Sequence, residues 1–350
     1  MGQAASAQTR RRGILALLTA LACLAGCTTA ELNNSPSGTA ASSRPSALPA
    51  GTVTPQAGGA TPSRERLGAV SWPADGTSAA DISGIGVVAG PGATRPVPIA
   101  SVAKLMTAYV ILLDHPLSEA EQGPDITVEP SEAAAYPSQA REGDSLVAVA
   151  AGEVISERQA LEALLLPSAD NMAWILARWD ASSQAAFTAK MNATARRLGM
   201  TGTNYTDASG LDSSTVSTAA DQVRLGMAAM GVPALAAITA MPTAVVPVAG
   251  AIRNTNTLLG QDGIAGLKTG NTQAAGGCIL IAASEEVSGR QTLIVAAAFG
   301  QPGTAGADLL YALQAGHRLV LALDHALGAD GWSGSRHDTG GPPQGPPGAL

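Results

Sequence analysis

The chain predicts an α+β domain in which an antiparallel sheet is flanked by helices and interrupted by an inserted helical subdomain. Three observations carry that expectation. Two short strand-like segments come early, the hydrophobic period then turns helical from about 117 to 230, and three strand-length apolar runs close the pattern ahead of one long amphipathic helix.

The elements follow in order. Gly68 to Trp72 and Ile82 to Val88 read as the early strands, with turn residues between them. Ser101 to Leu113 is an unbroken run of helix formers between Pro98 and Pro116, so Ser101 falls in a first helical turn. Inside the insert, helices are expected at Glu157 to Leu166, Asn171 to Trp179, Gln184 to Leu198 and Ala219 to Met230. Gly266 to Asn271, Gly277 to Ser284 and Gln291 to Phe299 then form a meander, turning at Gln273 to Gly276 and at Glu285 to Arg290. Ala305 to Leu327 is a final helix that covers one face of that meander.

Composition narrows the function. With 350 residues, 46% hydrophobic and 13% charged, the chain has material for a buried core. A net charge of -7 provides no basic field for a phosphate backbone, so nucleic acid is excluded as a partner. Aromatics at 3% argue against base stacking and against an aromatic sugar cleft. Three cysteines and four histidines leave little for a zinc site or a disulfide framework, so no metal and no cofactor is expected.

The two ends are read apart from the fold. Arg10 to Arg12 followed by the short apolar run Gly13 to Ala25 has the form of a secretory signal, too short to span a bilayer. It ends Leu24-Ala25-Gly26-Cys27, which resembles the bacterial lipobox. Residues 1–26 are then a lipoprotein signal peptide, and Cys27 is the lipidated first residue of the mature protein. The Arg pair also fits a twin-arginine signal in part, without the Phe-Leu-Lys continuation. Residues 27–66, rich in Ser, Thr, Pro, Gly and Ala, read as a flexible tether, and 331–350 as a disordered tail. The globular domain is placed at 67–330.

Three motifs carry chemistry. Ser101-Val102-Ala103-Lys104 stacks a hydroxyl and an amine one helical turn apart. Serine needs an adjacent base, and a lysine serves only when its amine is neutral. Taken alone, Lys104 also fits a lysine snorkelling from an ordinary helix. Lys268-Thr269-Gly270 sits on the strand that opens the meander, where an ammonium and a hydroxyl can meet a carboxylate and glycine lets a substrate approach. Leu166-Pro167-Ser168-Ala169-Asp170-Asn171 is a polar knot at a loop-to-helix transition, where Ser168 could be no more than a cap. The chain has only three lysines, and two of them fall in these motifs.

The set, Ser-x-x-Lys at 101, Ser-x-x at 168 and Lys-Thr-Gly at 268, resembles that of penicillin-recognising serine enzymes. Over about 67 to 328 the chain looks like a D-alanyl-D-alanine carboxypeptidase of the low-molecular-weight penicillin-binding type. Beyond the motifs, the likeness rests on Pro98-Ile99-Ala100, Leu198-Gly199-Met200, Thr203 to Leu211 and Arg253-Asn254-Thr255-Asn256. It implies the penicillin-binding-protein/β-lactamase-like fold and a serine peptidase that removes the terminal D-Ala from peptidoglycan stem peptides. Ser101 would be the acylated nucleophile, Lys104 the general base and Ser168 a proton relay. Lys268, Thr269 and Gly270 would bind substrate, with Asp170 and Asn171 from the second motif. The N–H groups of Ser101 and Asn271 would form the oxyanion hole, and β-lactams would be covalent inhibitors. With Cys27 lipidated, the enzyme would sit on the outer face of a bacterial cell membrane.

One position departs from that pattern, because Asp170 stands where the family's Ser-x-Asn has an amide, and asparagine comes one place later at Asn171. A carboxylate about 4 Å from Lys104 would favour its ammonium by as much as ~4 kcal/mol at an effective dielectric of 20. Catalysis would then be impaired, unless Asp170 pairs with Lys268 or Asn171 takes its place. Hence the alternative function is a penicillin-binding lipoprotein that binds cell-wall peptides with little turnover. A class A β-lactamase needs a glutamate after the second motif, and there is none between Glu162 and Glu285. A Ser-His-Asp hydrolase has no suitably placed histidine, and no metallopeptidase histidine motif occurs. Cys278 reads as a small core residue, and Asp207 and Arg253 as structural.

Overall fold

The structure, a computed structural model, describes residues 66–287, 289–303 and 308–328. The signal segment, Cys27, nearly all of the tether and the C-terminal tail lie outside the described residues.

The expected strand at 68–72 is instead a 3-10 turn, Arg66–Ala69, with a short extension. Leu67 and Val70 are three apart and both buried, a helical rather than an alternating spacing, and they join the core formed with the last helix. The expected strand at 82–88 is a hairpin: β1 (Thr77–Ile82) and β2 (Gly86–Ala89) are joined through a turn whose Gly84 takes a left-handed φ of 82°. β3 (Val97–Pro98) leads into a 3-10 turn, Ala100–Ala103, and then α1 (Lys104–Asp114). The single predicted helix is thus split at its first turn, with Ser101 in the tight part and Lys104 opening the α-helix.

The insert runs through β4 (Asp125–Thr127), α2 (Pro130–Glu142), β5 (Val154–Ser156), α3 (Glu157–Leu165), α4 (Asp170–Ala181), α5 (Gln184–Arg197), β6 (Val216–Ser217), α6 (Ala219–Met230) and α7 (Pro233–Thr239). Ser156 and Gln159 cap α3 reciprocally, and Ser183 and Thr218 cap α5 and α6. The insert is not wholly helical, because β4 pairs with β5 and β3 with β6. Sequence periodicity passed over α2 for a physical reason. None of its residues is buried, so it has no apolar stripe, and it stands on a capping box between Glu129 and Glu132 and on Pro130 at its start.

β7 (Thr243–Val246) and β8 (Gly250–Arg253) form a separate hairpin. The meander is β9 (Ile264–Thr272), β10 (Gly276–Val287) and β11 (Arg290–Gln301), followed by α8 (Asp308–Leu327). β10 and β11 pair up to Val287 and Arg290, so most of the predicted 285–290 turn is strand. All pairs in the five-stranded sheet are antiparallel, in the order β2-β1-β11-β10-β9. Its two faces alternate as the pleat requires. Cys278, Leu280, Ala282, Val295, Ala297 and Phe299 face the core built with α1 and α6, while Ile279, Ile281, Ile294, Ala296 and Ala298 face α8. β9 is left as an edge strand beside the 3-10 turn that holds Ser101, and the site forms there.

Candidate active site

Ser101 is held by a strained entry. Ala100 has a φ of 47°, a left-handed value that a residue with a Cβ adopts at a cost, and Ser101 follows it. Ser101 is partly exposed, whereas Lys104 is fully buried, so the lysine does not snorkel. Lys104 Nζ lies 2.7 Å from Ser101 Oγ, 2.6 Å from Asp170 Oδ1 and 3.1 Å from the carbonyl oxygen of Ser209. An ammonium donates to all three. A neutral amine has hydrogens for two acceptors and a lone pair for the third.

The second motif comes in on the turn between α3 and α4. Ser168 takes a φ of 68°, is buried, and its hydroxyl makes no hydrogen bond to the protein. It does not cap α4, whose N-cap is Ala169. Asp170 is buried, with Oδ1 on Lys104 and Oδ2 accepting from the backbone N–H of Ser145 at 3.0 Å. Asn171 is not at the cluster. Its amide donates to the carbonyl of Val147 at 2.8 Å and accepts from the Val147 N–H, so it anchors the loop after α2. One helical step turns the Asn171 side chain about 100° away from Asp170, and Asp170 is therefore the second-motif side chain that meets Lys104.

The third motif lies on β9, paired in register with β10 from Lys268 opposite Leu280 to Asn271 opposite Gly277. Lys268 is buried and its Nζ donates to the carbonyl of Thr269 at 2.9 Å, with no carboxylate among the described residues bound to it. Burial, and after it the charge of Lys104, push Lys268 well below the usual lysine range, while Asp170 pulls the other way. Thr269 Oγ1 lies 2.6 Å from Thr255 Oγ1, which ties the third motif to the loop after β8. A Cβ on Gly270 would stand 2.9 Å from the Ser101 nitrogen and 3.0 Å from that of Val102. Glycine is thus what lets the edge strand lie against the turn that holds Ser101. Asn271 follows, exposed, and beyond it a cavity of about 400 Å³ opens between Leu211, Ser213, Thr272, Gln273 and Ala274.

Three segments far apart in sequence therefore meet at one sheet edge. The charged groups buried with them are Lys104, Lys268 and Asp170, one net positive charge when all are ionised. Asp144, in the loop after α2, is drawn into the same field. Burial raises its carboxyl above the usual range, helped by Asp170 and Glu142 and opposed by Lys104. Sequence reading did not single out Ser145 or Asp144, because one contributes only a backbone N–H and the other only charge. Ser209 and Asp207 lie in the segment that carries part of the family likeness, where Asp207 reads as structural and Ser209 has no assigned role. Among the described residues no group of His, Cys, Asp or Glu is gathered as for a metal ion.

A family model described as D-alanyl-D-alanine carboxypeptidase matches residues 80–300. A D-alanyl-D-alanine endopeptidase of Pseudomonas aeruginosa is 35% identical over 212 residues, 59% of this chain and 65% of that protein. A D-alanyl-D-alanine carboxypeptidase of Mycobacterium tuberculosis is 37% identical over 192 residues, 53% of this chain and 56% of that one. The chain thus spans somewhat less than two thirds of the length of these curated relatives. Among solved structures, a D-alanyl-D-alanine carboxypeptidase of Mycobacterium tuberculosis superposes with a TM-score of 0.60 at 31% identity, covering 74% of this chain and 93% of that one. The Streptomyces K15 DD-transpeptidase, at 22% identity and a TM-score of 0.61 over 72% of this chain and 98% of that one, shares the fold.

Proposed function

This chain belongs to the D-alanyl-D-alanine carboxypeptidase family of serine peptidases, and we propose that it removes the terminal D-Ala from peptidoglycan stem peptides through an acyl-enzyme on Ser101. The observation that carries the reading is the 2.7 Å contact between Ser101 Oγ and the fully buried Lys104 Nζ, at the edge of a strand that bears a second buried lysine. Lys104 takes the Ser101 proton while Oγ forms a bond to the carbonyl carbon of the D-Ala-D-Ala amide. The charge that develops on that carbonyl oxygen meets the N–H groups of Ser101 and Asn271, fixed beforehand by the 3-10 turn and by the strand. The proton held on Lys104 is handed on through Ser168 to the leaving amine, the C–N bond breaks, and D-alanine departs. Water then gives a proton to Lys104 and cleaves the ester, and that proton returns to Ser101 Oγ. Lys268 and Thr269 hold the substrate's terminal carboxylate, which can accept hydrogen bonds from the Lys268 amine and the Thr269 hydroxyl. The strained amide of a β-lactam enters the same first step and stays as the acyl group.

The test is direct. A labelled penicillin should attach covalently to Ser101, and a diacyl-D-Ala-D-Ala peptide should release D-alanine. Labelling without release would support the second reading, a penicillin-binding protein of low turnover, which the Lys104–Asp170 contact favours. A cross-linked muropeptide, offered in parallel, separates endopeptidase from carboxypeptidase action.

Lipid on Cys27 would anchor this domain to the outer face of the bacterial membrane, the reading supported by Leu24-Ala25-Gly26-Cys27 behind an apolar run. One acyl chain anchors only marginally, so the two or three chains of a bacterial lipoprotein are required. Cys27→Ala should move the protein to the soluble fraction, and retention in the membrane would contradict the anchor.

A further inference from the structure

One carboxylate near the site has an unusual number of donors. Asp207 Oδ2 accepts from Ser209 Oγ at 2.6 Å, from Gly210 N at 2.8 Å, from Leu211 N at 3.0 Å and from Ser209 N at 3.2 Å. Its Oδ1 accepts from Thr215 Oγ1. These bonds wind residues 207–211 into a tight turn that packs on the catalytic elements. Ala208 O accepts from Thr107 of α1, and Ser209 O accepts from Lys104 Nζ. At Gly210, with a φ of 80°, a Cβ would fall 1.9 Å from the carbonyl oxygen of Ala100, so the turn is also pressed against the residue before the nucleophile.

We infer that Asp207 is a positioning residue that aims the lone pair of Lys104 at Ser101 by holding the Ser209 carbonyl in place; the inference rests on the acylation reading above. A neutral Lys104 has two hydrogens and one lone pair. Asp170 Oδ1 takes one hydrogen and Ser209 O the other, and the lone pair is then left facing Ser101 Oγ. If the Ser209 carbonyl drifts, a hydrogen is free to point at Ser101 and the amine is no longer aimed as a base. The arrangement parallels the carboxylate that orients a catalytic histidine, except that here it acts through a peptide carbonyl. The charged groups acting on Lys104 are Asp170 from α4, Lys268 from β9 and Asp144 from the loop after α2. Asp207 makes no direct hydrogen bond to it.

The test follows the rate of covalent labelling by a penicillin against pH in the full-length chain, with thermal unfolding measured alongside. Asp207→Asn places N–H groups against donors, so the turn loosens. The plateau rate should fall about tenfold, and the alkaline limb should move to lower pH, because the ammonium loses a partner. Thr215→Val removes one of the five donors and should give a smaller change of the same kind, which keeps the test usable if Asp207→Asn does not fold. Asp221 provides the control: its buried carboxylate ties Gly202 N, Thr203 Oγ1 and Arg224 away from Lys104. Asp221→Asn should lower the melting temperature and leave the limb where it is. If both Asp207→Asn and Thr215→Val keep the wild-type limb, or lose rate only as Asp221→Asn does, the inference is wrong. A wild-type chain that is never labelled would overturn the acylation reading, and this inference with it.

Discussion

Asp170 and Glu157 are both buried carboxylates in the first turn of a helix, α4 and α3 respectively, yet their surroundings differ completely. Asp170 has a buried ammonium at 2.6 Å and a backbone N–H at 3.0 Å. Among the described residues Glu157 has no hydrogen-bond partner for either oxygen, and burial, with Glu121 nearby, pushes its carboxyl up to about 7. The helix N-terminus, favourable to anions by itself, does not offset that desolvation. Taking a carboxylate out of water is tolerable when a fixed cation accompanies it. Of the two, Asp170 is the one placed to influence where a proton sits in the Ser101–Lys104 cluster.

The largest effects should come from removing the groups to which Asp170 answers. Ser101→Ala should abolish covalent labelling, and Lys104→Ala should reduce peptide turnover by more than about a thousandfold. The double variant should be little worse than either single one, since a nucleophile and its base fail as a unit. Lys104→Ala also leaves Asp170 buried without its cation, which typically costs about 3–5 kcal/mol, so its melting temperature must be reported with its rate. A Lys104→Ala enzyme of near wild-type rate would assign the base elsewhere and remove the functional side of the contrast with Glu157.

A smaller and opposite effect is expected at Asp170 itself. Asp170→Asn keeps size and reach but deletes the charge that holds the proton on Lys104, and Lys268 is left as the nearest charged neighbour in the cluster. The amine should give up its proton more readily. Acylation at pH 7 should rise about tenfold, with the alkaline limb displaced to lower pH. Because Asn171 is engaged with Val147, Asn171→Ala should lower stability without moving that limb. A fall in rate on Asp170→Asn with an unmoved pH profile would mean that the carboxylate itself takes part in proton transfer.

How much of this was legible in the sequence depended on what kind of contact carried it. The meander and α6 were readable because their burial follows a strict period, as in Leu280, Ala282 and Ile281, which alternate between the two cores. Ser101, Lys104 and Lys268 stood out because serine and lysine recur at a fixed spacing in their motifs, and the fold brings those motifs to one sheet edge. The alternative orientations of Asp170 and Asn171 were not separable by sequence, since one residue of shift in where α4 begins exchanges them. Ser145 and Ser209 were invisible for a different reason: what they contribute is a backbone N–H and a backbone carbonyl, which every residue has. α2 and the strand expected at 68–72 failed together, one a helix with no buried stripe and the other a pair of buried residues at helical spacing.

The smallest predicted effect tests the other half of the comparison. In the unfolded chain Glu157 titrates near its ordinary value of 4.5, and in the fold near 7. Between those values the native state holds a proton that the unfolded state has released. Stability therefore falls as pH rises through that window, and the loss is complete above about 7. Glu157→Gln cannot ionise. Relative to wild type it should melt several degrees higher at pH 8, and no higher at pH 4. The crossover should lie between those pH values, and the penicillin labelling rate at pH 7 should be unchanged, because Glu157 makes no contact with Ser101, Lys104 or Lys268. Equal melting of variant and wild type at every pH would show that Glu157 has found a partner, and the two carboxylates would then differ only in which cation accompanies them.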